Sequence, residues 1–252
     1  MRFLARKGRA PHLKSAIGAA VPDERVAAPA FFAATTALSW LAGLPLSLLG
    51  GWVVERRFGL SKQPFRGWFG DQAKGLALSL ALQPLLLTGA WAVIKRRPKD
   101  WWLILSTLTV PLSVIFGTLA PVLIMPLFNR YEPLKDTALA ERIRSLTAKA
   151  GVPIADVYGV DMSRQTEKPN AFFTGLGRTK RIALGDTLTE KFPPAEVEAV
   201  VAHELGHQVH GDIWKLIGFG GAAGFAAAWL LSKIAPAAIA KTSDETGVAT
   251  IA

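Results

Sequence analysis

Two histidines and a glutamate stand together in the run His203-Glu204-Leu205-Gly206-His207. Residues four apart share one face of a helix, so both imidazoles can grip a single metal ion. The carboxylate directly after the first histidine then reaches a water in an open coordination position. This is the H-E-x-x-H pattern of metal-assisted peptide hydrolysis. In that chemistry His203 and His207 give neutral nitrogens to Zn²⁺. Glu204 takes a proton from the water as it attacks a peptide carbonyl and passes it to the leaving amine. The ion makes this feasible near neutral pH by lowering the water pKa to about 7. His210 lies near the same face, but at about 10 Å along the axis from His203 it is too distant to share the ion; a surface or supporting role suits it. Gly206 is a poor helix former, and its use is read as close approach by another segment. The competing reading is a polar helix face carrying two ordinary histidines and a surface charge, so the surrounding elements decide.

Those elements begin with the helix itself. Pro193 and Pro194 mark its entry, the spacing predicts a helix over 195–210, and Gly211 closes it. Upstream, Leu139, Ile143, Leu146 and Thr147 recur at helical spacing within 137–150, with Gly151 as a stop. Asp156 to Val160 reads as a short strand. Asn170 to Thr174 and Lys180 to Leu184 read as two strands of a hairpin joined across 175–179. Downstream, the apolar run Leu216 to Ser232 follows almost at once, so the histidine helix feeds directly into a membrane segment.

Three further runs carry no charge at all: Val26 to Val54, Gly75 to Ile94 and Trp101 to Asn129. Each is about 20 residues or longer, enough to cross a ~30 Å hydrocarbon layer as a helix. Lys215 and Lys233 can snorkel at the ends of the shorter fourth run. Pro45, Pro84, Pro111 and Pro121 fall inside the runs, which membrane helices tolerate when neighbours satisfy the freed carbonyls. Half the residues are hydrophobic and the mean hydropathy is positive. The net charge of +10 invites a nucleic-acid reading. However, the lysines and arginines flank the apolar runs, and Trp52, Trp68, Trp101 and Trp102 sit near their ends as an interfacial belt would. We therefore expect a lipid bilayer as partner and no nucleic acid. A transporter or channel would need ionisable residues inside the runs, and there are none. With no cysteine, disulfides and thiolate metal sites are excluded.

Beyond these readings, the chain resembles the type I CAAX prenyl proteases, integral-membrane zinc metalloendopeptidases. Five blocks carry the likeness in order: Glu55 to Gln63 (ERRFGLSKQ), Pro126 to Leu134 (PLFNRYEPL), Asn170 to Gly175 (NAFFTG), Arg181 to Leu188 (RIALGDTL) and Ala202 to His207 (AHELGH). Together they cover roughly residues 35–235. The resemblance implies membrane helices around a large chamber with the zinc site facing inward. It also implies cleavage near the C-terminus of prenylated CAAX proteins, or of membrane and misfolded proteins in bacterial relatives. It gives Asn170 and Ala171 a role in aligning substrate by backbone pairing, a form of strand addition; from the residues alone they would be ordinary hairpin strand. In the family the third zinc ligand is a glutamate of an E-x-x-x-D element beyond the last matched helix. Glu245 is the only glutamate after His207 and its surroundings, Ser243 to Gly247, do not match. The family has seven membrane helices against four counted here, so the chain reads as truncated at both ends.

The expected fold is mainly α and integral to the membrane: a polytopic helical bundle with a small α+β zincin-like catalytic domain inserted between membrane helices. Residues 1–25 form a basic arm and 26–129 carry three membrane helices (about 26–54, 75–94 and 101–127). The zinc-peptidase domain occupies 130–212, a fourth membrane helix 213–236, and a truncated tail 237–252. The expected function is a membrane-embedded, zinc-dependent endopeptidase of a bacterial inner or endoplasmic-reticulum-type membrane, acting on a protein or peptide, prenylated or not. Glu204 is the catalytic residue, His203 and His207 the metal ligands, and Asn170 and Ala171 the substrate-binding pair. The alternative is a non-catalytic membrane scaffold or inactive fragment lacking the third zinc ligand.

Overall fold

The computed structural model describes residues 23–175 and 180–246. The basic arm up to residue 22 lies outside them, as do the tip of the expected hairpin at 176–179 and the last six residues. Among the described residues four helices are long and apolar enough to cross a membrane, over Arg25–Arg57, Phe65–Arg96, Trp101–Leu127 and Asp212–Ala235. At most 6% of any of their apolar windows is buried within the chain. A helix apolar all round and left uncovered in water would be unstable, and lipid is the environment in which such a surface costs nothing. The fold is thus mostly helical with one small sheet, a polytopic membrane architecture.

The chain divides into two compact units. The first unit contains most of helices α1 (Glu24–Leu48) and α2 (Phe65–Arg96). Asp23 caps α1 by accepting the Arg25 N–H at 2.8 Å, which satisfies one of the donors a helix start leaves open. Within this unit Thr36 donates to the Gln83 side chain at 3.1 Å, a polar tie between two apolar helices of the kind membrane bundles use. After Leu48 the helix widens into a π turn, Leu49–Val54, which contains Gly50 and Gly51. Such turns accommodate an irregularity without breaking the helix.

The second unit comprises residues 54–68 and everything from Trp102 onward. Helix α3 (Trp101–Leu119) passes through a π turn at Ala120–Ile124, containing Pro121, and a 3₁₀ turn at Met125–Leu127. The edge-on contact of Trp102 with Phe225, centroids 5.2 Å apart, ties it to α7 (Asp212–Thr246). Trp68 is buried, with its ring 5.8 Å from Phe65. That corrects the assignment of Trp68 to an interfacial belt: its position in the sequence was right for a headgroup, but its ring is enclosed.

Between α3 and α7 lies the four-stranded sheet. Its strands are β1 (Tyr131–Pro133), β2 (Asp156–Val160), β3 (Ala171–Thr174) and β4 (Arg181–Gly185), in the order β1-β2-β4-β3. The central pair β2/β4 is parallel, while β1 and β3 join antiparallel as the two edges. Helices α4 (Thr137–Lys149), α5 (Asp186–Thr189) and α6 (Pro194–Val209) complete the module. Ile143 of α4, Val157 of β2, Ile182 and Leu184 of β4, Leu188 of α5 and Val197 and Val201 of α6 are almost fully enclosed and form one core. The helix over 137–150 and the strand over 156–160 lie where periodicity put them. The first hairpin strand starts one residue later than expected and ends at the same Thr174, the second is displaced by one residue, and β1 and α5 were not anticipated. Three and four residues are too short for either period to register.

Candidate active site

The apolar positions Val197, Val200, Val201 and Leu205, buried or half-buried, turn one side of α6 to the core. At 3.6 residues per turn, a step of two residues is about 200° round the helix. His203 and His207 therefore stand on the side facing away from that core, and both are exposed. Their ring centroids are 5.0 Å apart with the planes nearly perpendicular. Glu204, half-buried, lies between the two faces. The structure thus gathers the three residues of the pattern at one place.

His207 has a partner that spacing did not identify. Its Nδ1 lies 2.8 Å from Oδ2 of Asp212, whose other oxygen accepts from Lys215 Nζ at 2.9 Å. Asp212 is five residues on, beyond the i, i+4 reach of a helix. The chain brings it back because Gly211, at φ +65°, turns between α6 and α7. A carboxylate on Nδ1 sets the tautomer and leaves Nε2 as the lone-pair nitrogen, the arrangement seen around metal-binding histidines. The donor set therefore fits a divalent metal that takes imidazole nitrogen. His203 and His207 would hold it, and Asp212 would fix the second ring. Lys215, anticipated as a snorkelling flank, instead reaches back to Asp212. Among the described residues no group of three histidine, aspartate or glutamate side chains is arranged to enclose an ion. The side chain of Glu245 lies outside the described residues.

The other candidates divide. His210 ends α6 as its capping residue and is exposed, its N–H donating to the Gly206 carbonyl. Among the described residues nothing comes within 4 Å of the place a Cβ on Gly206 would occupy, which corrects the expectation of a close approach there. Asn170 and Ala171 sit at the start of β3, which packs against α6. Asn170 precedes the strand rather than opening it. Its carbonyl accepts the Gly185 N–H at 2.9 Å, so Asn170 is a hydrogen-bonded position facing β4. By the alternation of an antiparallel ladder, the N–H and C=O of Ala171 and Phe173 point the other way. That is the open edge of the sheet, with which no strand pairs among the described residues. The Ala171 side chain itself is buried in the core. Gly185 makes this geometry possible: a Cβ there would meet Met162 Sδ at 2.8 Å, Thr187 Oγ1 at 3.1 Å and the Asn170 carbonyl at 3.2 Å.

Taken together, the arrangement is a helix presenting two imidazoles and a carboxylate beside an edge strand whose outward backbone groups pair with no strand among the described residues. Comparison with known proteins bears on the family of the chain. Residues 6–130 match the family described as CAAX prenyl protease N-terminal, five membrane helices, and residues 133–252 match peptidase family M48. The described part of the chain contributes three long helices to the first of these. The chain is 34% identical over 207 residues to the uncharacterized metalloprotease YhfN of Bacillus subtilis, covering 82% of this chain and 48% of that protein. It is 36% identical over 191 residues to CAAX prenyl protease 1 of Saccharomyces cerevisiae, covering 75% and 42%. The crystal structure of S. mikatae Ste24p superposes with a TM-score of 0.77 at 32% identity, covering 82% of this chain and 48% of that one. The chain spans about half the length of the relatives it matches.

Proposed function

The chain belongs to the type I CAAX prenyl proteases of peptidase family M48, integral multi-pass membrane metalloproteases, and from that premise we propose a zinc-dependent endopeptidase whose working residues are His203, Glu204 and His207. The observation that carries the proposal is the pair of imidazoles on one helix face, 5.0 Å apart, with His207 held by Asp212. Residues 130–212 act as the peptidase module, and the helices on either side as its membrane frame.

Zinc at this place would supply Lewis acidity and bring the pKa of a water near 7. The protein's own residues do the rest. His203 and His207 would bind the ion, with Asp212 holding the His207 ring in one orientation. Glu204, on the turn between the two histidines, would accept a proton from the attacking water at its carboxylate and return it to the leaving amine. The free N–H and C=O groups of Ala171 and Phe173 would add the substrate to the sheet as a further strand, and Asn170 would fix where that strand begins. Substrates would be proteins or peptides at the membrane, CAAX-type and prenylated proteins among them, as the name of the yeast relative suggests.

Zinc stoichiometry tests this reading against a non-catalytic scaffold, which the lack of a third ligand among the described residues would suit. About one zinc per chain, lost on His203→Ala, is expected for a site with one catalytic ion. Zinc-free protein after purification in zinc-containing buffer would favour the scaffold.

A further inference from the structure

Among the described residues edge strand β3 pairs on one side only, and its lead-in from Asp161 to Asn170 contains no regular structure beyond the 3₁₀ turn Met162–Arg164. A displaced strand would offer a peptide the wrong pairing groups, so whatever fixes β3 and its lead-in bears on binding. The connector Glu55–Gln63, which follows the first membrane helix, holds the lead-in. The Leu60 carbonyl accepts from Glu167 N at 2.8 Å and from Thr166 Oγ1 at 3.2 Å. The Ser61 hydroxyl donates to the Gln165 carbonyl at 2.6 Å and accepts from Gln63 N at 3.1 Å. Glu55 pairs with Lys168 at 3.0 Å, and Lys62 with Glu167 at 3.1 Å. Lys191, just before α6, completes a second pair on Glu167. The lead-in is held from below as well: Thr187 donates to the Lys168 carbonyl at 2.9 Å, and Gly185 to that of Asn170.

The connector is itself rigid. Gly59 sits at φ +68°, with its N–H donating to the Arg56 carbonyl and the Leu60 N–H to that of Glu55, the two bonds of a Schellman stop. Arg56 then reaches forward to the carbonyls of Lys62 and Gln63. Ser61 and Gln63 are buried. Exposed ion pairs contribute little singly, so most of the constraint falls on Ser61 and on the backbone bonds around it.

We propose that the connector Glu55–Gln63 is a clamp on the substrate strand: by holding Gln165–Lys168 it fixes where β3 lies, which makes Ser61 and Glu167 positioning residues for peptide binding. This rests on the reading that β3 pairs with substrate. It links the end of a membrane helix to the alignment of the scissile bond, across 104 residues of sequence between Ser61 and Gln165.

The test uses the zinc-loaded, purified protein and an internally quenched CAAX-type peptide, with a second peptide N-methylated on the backbone where it would pair with β3. Variants are Ser61→Ala, Ser61→Thr and Ser61→Ala/Glu167→Gln. For the double variant KM is expected to rise about tenfold, as for loss of a buried hydrogen bond, with kcat and zinc content within about twofold. Ser61→Thr, which keeps the hydroxyl, is expected to bind closer to wild type than Ser61→Ala. If the double variant does not fold, this single pair decides by the same comparison. Unchanged KM in Ser61→Ala and the double variant would overturn the clamp, as would a fall in kcat that parallels loss of zinc. A wild type that cleaves methylated and unmethylated peptide equally, or neither, would overturn the strand-pairing reading itself and the clamp with it.

Discussion

At the scale of single residues, the site separates groups legible from spacing from groups that only the folded chain brings together. His203 and His207 were legible because a helix converts a separation of four into a shared face. Asp212 was not, because its contact with His207 depends on the turn at Gly211 and on the direction in which α7 departs. Replacing Asp212 by alanine is expected to weaken zinc binding about 10- to 100-fold, measured by competition with a chelator of known affinity. Unaltered affinity would mean that Asp212 serves only the start of α7. The Asn170 carbonyl is committed to Gly185, and the backbone groups that face away from β4 are those of Ala171 and Phe173. The loop at 175–179 located the strand, but which backbone groups face outward depends on the pairing register.

Among the elements, helices were read from the sequence more faithfully than strands. Helix α4 declared itself through Leu139, Ile143 and Thr147, all buried, whereas β1 is three residues of one edge and carries no period. The crossing of β2 and β4 as a parallel pair, with β3 outside them, was equally hidden. Gly185 marks where these elements meet. Gly185→Ala should destabilise the module by about 1–3 kcal/mol through overpacking and displace Asn170, seen as a lowered Tm together with a raised KM. An unshifted Tm would show that Met162 simply moves aside. The clamp adds a pH dependence. Hydrogen bonds from Lys191 and Lys62 hold the Glu167 carboxyl below the usual carboxylate range. Its folded pKa is depressed, so its contribution is complete above the ordinary glutamate value of about 4.3 and is lost as pH falls through the lower folded value. KM is therefore expected to be flat from neutral pH down to about 5 and to rise only below the range where free glutamate titrates. A Glu167→Gln variant should lack that acid limb, and its persistence there would assign the limb to another group.

Over the whole molecule, the sequence already implied a membrane protein, because four uncharged stretches cannot all be covered by a chain this short. The structure leaves those surfaces uncovered, with Leu46, Leu216 and Phe219 each more than 70% exposed. The protein is expected to partition into detergent and to aggregate without it. A monodisperse, detergent-free preparation would contradict the assignment of these helices to lipid. The peptidase module is bracketed by two of these helices, α3 leading in and α7 leading out. The turn that starts α7 also supplies the carboxylate on His207, and the connector after α1 holds the lead-in to β3. Within the second unit the α+β module is therefore tied to its flanking segments through specific bonds, none of which a motif could reveal. The proposed function has Glu204 move the proton while His203 and His207 hold the metal. The most direct measurement compares wild type with Glu204→Gln for cleavage of a CAAX-type peptide and for zinc per chain in the same preparations. That role predicts cleavage lowered by at least about 100-fold with zinc content unchanged. Cleavage that survives the substitution with zinc in place would contradict it.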